Sequence, residues 1–362
     1  MLKFIHASDF HLDSAFGALT EKQAAARRRE SRELGFRLAN YVNSHGIDLV
    51  LLAGDLFDSD SAFRDTREQL AAALGQMEAR VFIAPGNHDC YDRGWESVSW
   101  PENVHIFREN HMTSVELPEW NLVVHGAAFT GQEQAAGFLH QFAVPADGRM
   151  HMAVLHGEID PAERRYAPLG KDEIAASGLD YLALGHIHKR MEPQRYGKTL
   201  CAWPGCLEGR GFDELGEKGF YEGTVENGTI SLQFVPFARR RYEILQVPVT
   251  GQDVQKAIEQ ALPADTTQHL YRILLTGESD ETGVNVSGLK EQLADRFYAL
   301  DIRDHTRIAE DIWSACDEDS LRGLFLQNLR MEWNAAKTEE EQETVTRAVR
   351  FGLAALDHRD LE

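Results

Sequence analysis

The sequence predicts an α/β protein: a two-sheet β-sandwich core flanked by helices, then a small α/β cap domain and C-terminal helices. Three observations predict it. Short apolar runs of strand length alternate with amphipathic stretches over the first hundred residues. Strands then recur at short spacing to about residue 235, and a second β-α-β-α-β series follows a basic linker. At 362 residues the chain exceeds one ordinary core, so several domains are expected, at 1–238, 239–308 and 309–362.

Residues 3–7, 48–53 and 80–84 read as buried strands, each ending at a Gly or Asp motif. Between them, residues 20–45 and 65–79 are rich in Ala, Glu, Arg and Leu and read as helices. Strands at 104–107, 120–127, 150–156, 180–185, 199–203 and 219–225 follow, and their close spacing predicts a second, mainly antiparallel sheet. Asn227-Gly228 supplies a hairpin turn into a strand at 230–235, because both positions of that turn need positive φ. Pro236 to Arg241 reads as the exit linker. The cap domain then runs strand 242–249, helix 253–262, strand 269–275, helix 286–298 and strand 300–307. From about residue 310 two helices are expected. The last carries an apolar stripe of Val345, Ala348, Val349, Gly352, Leu353 and Leu356, which suits packing on its own domain or docking of a partner.

No apolar run reaches the length of a membrane span, and the N-terminus lacks a signal-peptide pattern, so a cytoplasmic protein is expected. Cys90, Cys201, Cys206 and Cys316 are irregularly spaced, which suggests neither a zinc ribbon nor a disulfide framework. Net charge is −21, which weighs against a protein that grips nucleic acid unaided through a broad basic face. Bound metals would reverse the local potential of a cleft, so a nucleic-acid substrate stays open.

Five short motifs carry the chemistry: Asp9-Phe10-His11, Gly54-Asp55-Leu56-Phe57-Asp58, Gly86-Asn87-His88-Asp89, His156-Gly157 and Gly185-His186-Ile187-His188. Each falls at the carboxyl end of an expected strand, where open α/β sheets place their sites. Asp9 with His11, and His186 with His188, stand at i and i+2, so each pair projects to one side of an extended segment. Asp55 offers two oxygens, enough to bridge two cations, and Asn87 offers a neutral amide oxygen. This is a ligand set for two neighbouring divalent metals. Its mixed oxygen and imidazole donors suit Mn²⁺, Fe²⁺ or Zn²⁺ better than Ca²⁺. Phosphate-ester hydrolysis heads the short list of uses for such a pair, since two close cations supply hydroxide at neutral pH.

The five motifs together resemble the signature of the calcineurin-like metallophosphoesterase superfamily over roughly residues 1–235. The wording of residues 5–13, Leu155-His156-Gly157, Trp203-Pro204-Gly205 and Gly216-Glu217-Lys218-Gly219-Phe220 is similar to the SbcD/YhaO-like branch of DNA repair exonucleases. The resemblance implies the metallophosphoesterase fold. It implies one metal on Asp9, His11, Asp55 and His188, and a second on Asp55, Asn87, His156 and His186. It implies His88 as the catalytic imidazole, oriented by Asp89 and aimed at the leaving oxygen. Asp58 fits better as a support that holds a ligand histidine by its other nitrogen. Mn²⁺ is the expected ion, with Fe²⁺, Zn²⁺ or Mg²⁺ as alternatives. DNA, an SbcC-like coiled-coil ATPase subunit and a homodimer are the implied partners, with no membrane.

Arg164, Arg165, Lys189 and Arg190 directly follow ligand motifs and are the candidate contacts to a phosphodiester strand. Arg27-Arg28-Arg29 reads as solvated charge, and Arg239-Arg240-Arg241 as a linker cluster within reach of a phosphate backbone. His6, His125 and His151 read as core or surface histidines. The function expected is metal-dependent phosphodiester hydrolysis of DNA. A small phosphoester or cyclic nucleotide is the alternative substrate, and a non-catalytic scaffold is disfavoured because no ligand is missing.

Overall fold

The computed structural model describes residues 1–59, 63–163, 165–280 and 283–357. They form two compact units, Met1–Arg239 and Arg240–Glu362. In the first, β1 (Leu2–Ala7) leads through α1 (Glu21–Arg32) and α2 (Leu34–His45) to β2 (Leu49–Leu52). Then α3 (Arg64–Gly75) leads to β3 (Arg80–Ile83), and one turn of helix, α4 (Arg93–Glu96), precedes β4 (Val104–Ile106). β5 (Thr113–Leu117), β6 (Leu122–Gly126) and β7 (Met150–His156) follow, then α5 (Lys171–Ser177) and β8 (Tyr181–Gly185). β9 (Met191–Tyr196), β10 (Thr199–Trp203), β11 (Gly219–Glu226) and β12 (Thr229–Pro236) complete the unit.

Two six-stranded sheets result, ordered β12-β11-β1-β2-β3-β4 and β5-β6-β7-β8-β10-β9. In the first, β1 to β4 are parallel and β11 and β12 close one edge antiparallel. The second differs from expectation. The inner pairings β6·β7, β7·β8 and β8·β10 are parallel, and only the edge strands β5 and β9 run antiparallel to their neighbours. Parallel pairing needs a crossover of a dozen or more residues. The segments after Gly126 and His156 supply it, where close strand spacing alone suggested hairpins.

Because both faces of each central strand are covered, strand residues divide by alternation between two cores. Ile5, Ala7, Val50, Leu52, Val81 and Ile83 face Leu34, Leu38, Leu70 and Leu74 of the helices. Phe4, Leu49, Leu51 and Phe82 face Val124, Met152, Val154 and Ala183 of the second sheet. Leu155, Leu182 and Leu184 cover that sheet's other side with Ile174 of α5. The layers are therefore helix, sheet, sheet and a mixed cover. His6 ties the sheets together: Tyr181 Oη donates to its Nδ1 (2.8 Å), and its Nε2–H donates to the Leu184 carbonyl (3.1 Å).

The helix expected over 20–45 divides at Glu33, two residues before the buried Gly35. Asn227 and Gly228 take φ of 50° and 77°, as the hairpin requires.

In the second unit β13 (Tyr242–Pro248), α6 (Val254–Ala261), β14 (Leu270–Thr276), β15 (Glu278–Ser279), α7 (Val286–Leu293), β16 (Ala299–Asp304) and β17 (Arg307–Ile308) appear in that order. β13, β14 and β16 form a parallel sheet, the β-α-β-α-β series expected. A 3₁₀ run over Glu310–Asp317 stands before α8 (Leu321–Ala335) and α9 (Glu339–Leu356). Val345, Val349 and Leu353 of the C-terminal stripe pack on Trp313 and Leu326, so that face closes on its own unit.

Candidate metal centre

β1, β2, β3, β7 and β8 all end at one edge of the two sheets, and each end carries one of the five motifs. Asp9, His11, Asp55 and His186 sit in left-handed backbone, with φ of 54°, 44°, 51° and 91°. Asp and His tolerate that region better than most residues, but each position still costs about 1–3 kcal/mol, a cost concentrated at functional sites. Gly54 permits a close approach: at φ 82° its missing Cβ leaves room for His156, whose Nδ1 would lie 2.6 Å from that atom.

Besides a grouping of His11, Asp58 and His88, the side chains form two clusters. Asp9, His11 and His188 make the first, with His11 Nε2 and His188 Nε2 3.0 Å apart and Asp9 Oδ1 4.0 and 3.7 Å from them. Asp55, His156 and His186 make the second. Asn87 belongs with it, its Oδ1 lying 3.0 Å from His156 Nε2 and 3.2 Å from His186 Nδ1. Asp55 Oδ2 lies 3.3 Å from His156 Nε2 and 3.8 Å from His11 Nε2, between the clusters. The other oxygen, Oδ1, accepts the His88 amide at 2.9 Å. One oxygen of Asp55, rather than one each, therefore faces both clusters.

Two of the ring nitrogens turned away from the clusters are hydrogen-bonded, and that of His11 faces a carboxylate. His156 Nδ1–H donates to the Ala53 carbonyl (2.9 Å), and His188 Nδ1–H to Glu214 Oε1 (2.7 Å). His11 Nδ1 lies 3.2 Å from Asp58 Oδ1, the supporting place expected for Asp58. In the neutral form, with protons on those sides, the inward Nε2 atoms would present lone pairs to one another and to carboxylate oxygens. Such a set is repulsive alone and fits a cation. The electrostatics agree. Burial opposes protonation of His156, but the carboxylates of Asp55 and Asp9 outweigh it and push the imidazole up to about 9. Burial also opposes ionisation of Asp55, yet the His156 and His11 imidazoles hold its carboxyl well below the usual range. An environment that so favours positive charge favours a metal ion.

His88 is exposed, and its Nδ1–H donates to the Asp58 carbonyl (2.9 Å), which leaves Nε2 free to act. Its ring meets that of His11 edge-on, 5.0 Å between centroids. Asp89 does not take the place expected for it. Its buried carboxylate accepts four backbone amides, of Gly86 (2.7 Å), Leu56 (2.7 Å), Asp55 (3.2 Å) and Phe57 (3.3 Å). It staples the loop after β2 to the loop after β3, while the Asp58 carbonyl orients His88.

Arg164 lies outside the described residues. Arg165 is exposed, with Nε 3.4 Å from Glu163. Lys189 is exposed; Arg190 rests 4.3 Å over the Phe234 ring and 3.8 Å from Glu192. Arg27 is buried and pairs with Glu30 and Glu208, which corrects its reading as solvated charge. His125 and His151 are buried in a chain of hydrogen bonds from Ser114 to Asp147. Missed in the sequence were Glu214 and Arg210, which sit in an irregular segment with no motif to announce them. Glu214 is buried and, despite that burial, held well below the usual carboxylate range by His188 and Arg210.

A two-sheet α/β unit with two clusters of candidate metal ligands around one carboxylate at its strand ends has the layout of a dinuclear metallohydrolase. Residues 2–190 match the calcineurin-like phosphoesterase family, and the chain belongs to that family, whose members use divalent metals in a binuclear site. It is similar to the metallophosphoesterase YhaO of Bacillus subtilis, 33% identical over 264 residues, 67% of this chain and 61% of that protein. The match thus spans less than two thirds of that relative's length. Solved structures similar to it include TT1561 of Thermus thermophilus (11% identity, 64% of this chain and 98% of that one, TM-score 0.40). Another is a structure described as a novel archaeal phosphodiesterase (15% identity, 65% and 100%, TM-score 0.36). Among the described residues no helix is long and apolar enough to cross a membrane.

Proposed function

We propose that the chain is a metal-dependent phosphodiesterase acting on DNA, as an exo- or endonuclease in DNA repair. Asp9, His11, Asp55 and His188 hold one divalent ion; Asp55, Asn87, His156 and His186 hold the other; Mn²⁺ is the native metal. The observation that carries the reading is the position of Asp55 Oδ2, within 4 Å of an imidazole of each cluster. When bound, the two ions neutralise phosphate oxygens and lower the pKa of water between them. His88 completes the chemistry. With Nδ1–H fixed on the Asp58 carbonyl, its exposed Nε2 holds the proton that passes to the leaving oxygen, worth about 10²–10⁴-fold.

The choice of DNA rests on the motif wording shared with the SbcD/YhaO-like branch. The net charge of −21 supports a partner-dependent nuclease, with an SbcC-like coiled-coil ATPase supplying the basic surface. A cytoplasmic homodimer is part of the same proposal, as is a cap role for residues 239–308 beside a separate helical segment at 309–362. One observation favours a small phosphoester or cyclic nucleotide instead. Arg165 and Arg190, which follow ligand motifs, already have acidic or aromatic neighbours. The deciding experiment is a Mn²⁺-dependent assay on linear double- and single-stranded DNA beside bis-p-nitrophenyl phosphate. Cleavage of the small ester alone, even with a candidate ATPase added, sinks the nuclease reading.

A further inference from the structure

The irregular segment between β10 and β11 reaches the first cluster through Glu214 and the Arg210 guanidinium that holds it. Arg210 Nη1 donates to Asp58 Oδ1 at 2.8 Å, and Nη2 donates to Glu214 Oε1 at 2.8 Å. The Arg210 amide donates to the other Glu214 oxygen at 2.7 Å. Those two carboxylates are the ones that face the outer nitrogens of His11 and His188. The segment is anchored in turn from α1. Arg27, buried beneath it, donates to Glu208 (2.5 Å) and to the Gly209 carbonyl (3.0 Å). A run of paired charges thus extends from α1 through Arg210 to both imidazoles of the first cluster.

We infer that Arg210 is a positioning residue for the cation held by Asp9, His11, Asp55 and His188. By gripping Asp58 and Glu214 together it fixes the rotation of His11 and His188. It also keeps two nearby carboxylates from repelling each other out of place. Arginine suits the task because its planar fork serves two acceptors at set angles, which a lysine ammonium does not. The second cluster takes its orientation elsewhere, His156 from the Ala53 carbonyl and Asn87 from the loop stapled by Asp89. Arg210 therefore acts on one of the two ions. The inference rests on the dinuclear reading above.

The test is titration of the metal-free, full-length chain with Mn²⁺ by calorimetry, with electron paramagnetic resonance to detect the coupled ion pair. Wild type is expected to bind two ions. R210A is expected to keep one at its original affinity and to bind the other about 10- to 100-fold more weakly, with the coupled signal lost at limiting Mn²⁺. R210K is expected to fall between, because it keeps the charge and loses the fork. Two ions in wild type with both weakened equally in R210A, or neither weakened, overturns the inference and leaves the dinuclear reading standing. Fewer than two ions in wild type overturns both. Where R210A fails to melt cooperatively, R210K decides: selective weakening supports the inference, and uniform or absent weakening ends it.

Discussion

His11 Nε2 and His188 Nε2 face each other at 3.0 Å across 177 residues of sequence. Each has a carboxylate near its opposite ring nitrogen, so once that side holds the proton the inward nitrogens converge as a pair of donors to a cation. Ions that bind only the folded arrangement must then stabilise it. Mn²⁺ at one hundred times its dissociation constant is expected to add about 2.7 kcal/mol per site to unfolding free energy. Urea denaturation with Mn²⁺ and with a chelator measures it, and coincident curves would contradict a preformed site.

Asp55→Asn removes the charge shared by the clusters while keeping the shape. Because Oδ2 alone faces both, the variant is expected to retain at most one tightly bound ion, read by metal analysis after gel filtration. Two retained ions would rule out a bridging carboxylate.

His88→Ala leaves every atom of both clusters in place. It is expected to bind two ions as wild type does and to lose about 10²–10⁴-fold in turnover on a diester. Metal loss in this variant would refute the assigned role.

Asp89→Asn tests the reassignment of that carboxylate. An amide in its place turns an NH₂ toward backbone donors, so stability is expected to fall by about 3 kcal/mol, seen as a lower denaturation midpoint. Full stability with lost turnover would instead return Asp89 to service as the partner of His88.

Burial lowers the pKa of His6 to about 3, the Leu184 carbonyl only partly opposing it. The unfolded chain takes up a proton near pH 6.5 that the folded chain refuses until far lower, so stability drops as pH falls between those values. From pH 7.5 to 5 this one group is expected to contribute a loss of about 2 kcal/mol. His6→Gln is expected to remove that share of the slope in urea titrations at the two pH values. An unchanged slope would show that His6 is not held neutral.

The candidate ligands were legible because their motifs are local, but the extended geometry was not borne out: Asp9, His11 and His186 take left-handed backbone, and His186 and His188 divide between the two clusters. The supports were not legible. Glu214 and Arg210 act on His188 and His11 from an irregular segment, and nothing in their neighbours' identity announces it. Asp89 misled for a related reason, since adjacency to His88 suggested a pair while the backbone turned its carboxylate onto four amides. Edge strands escaped as well. β5 alternates half-buried Thr113 and Val115 with exposed Ser114 and Glu116 and has little apolar content, and β9 contains Pro193, which an edge tolerates but which reads as a strand breaker. The pairing direction of the second sheet depends on long crossovers, which strand spacing does not record.

Each cluster draws side chains from both sheets: Asp9 and His11 from the first with His188 from the second, and Asp55 and Asn87 with His156 and His186. Neither sheet alone completes either cluster, so on the proposed reading metal affinity and the docking of one sheet on the other form a single equilibrium. A chelator should therefore act as a mild denaturant of the intersheet seam. The ions, in turn, should serve as a checkpoint that only a correctly closed sandwich passes.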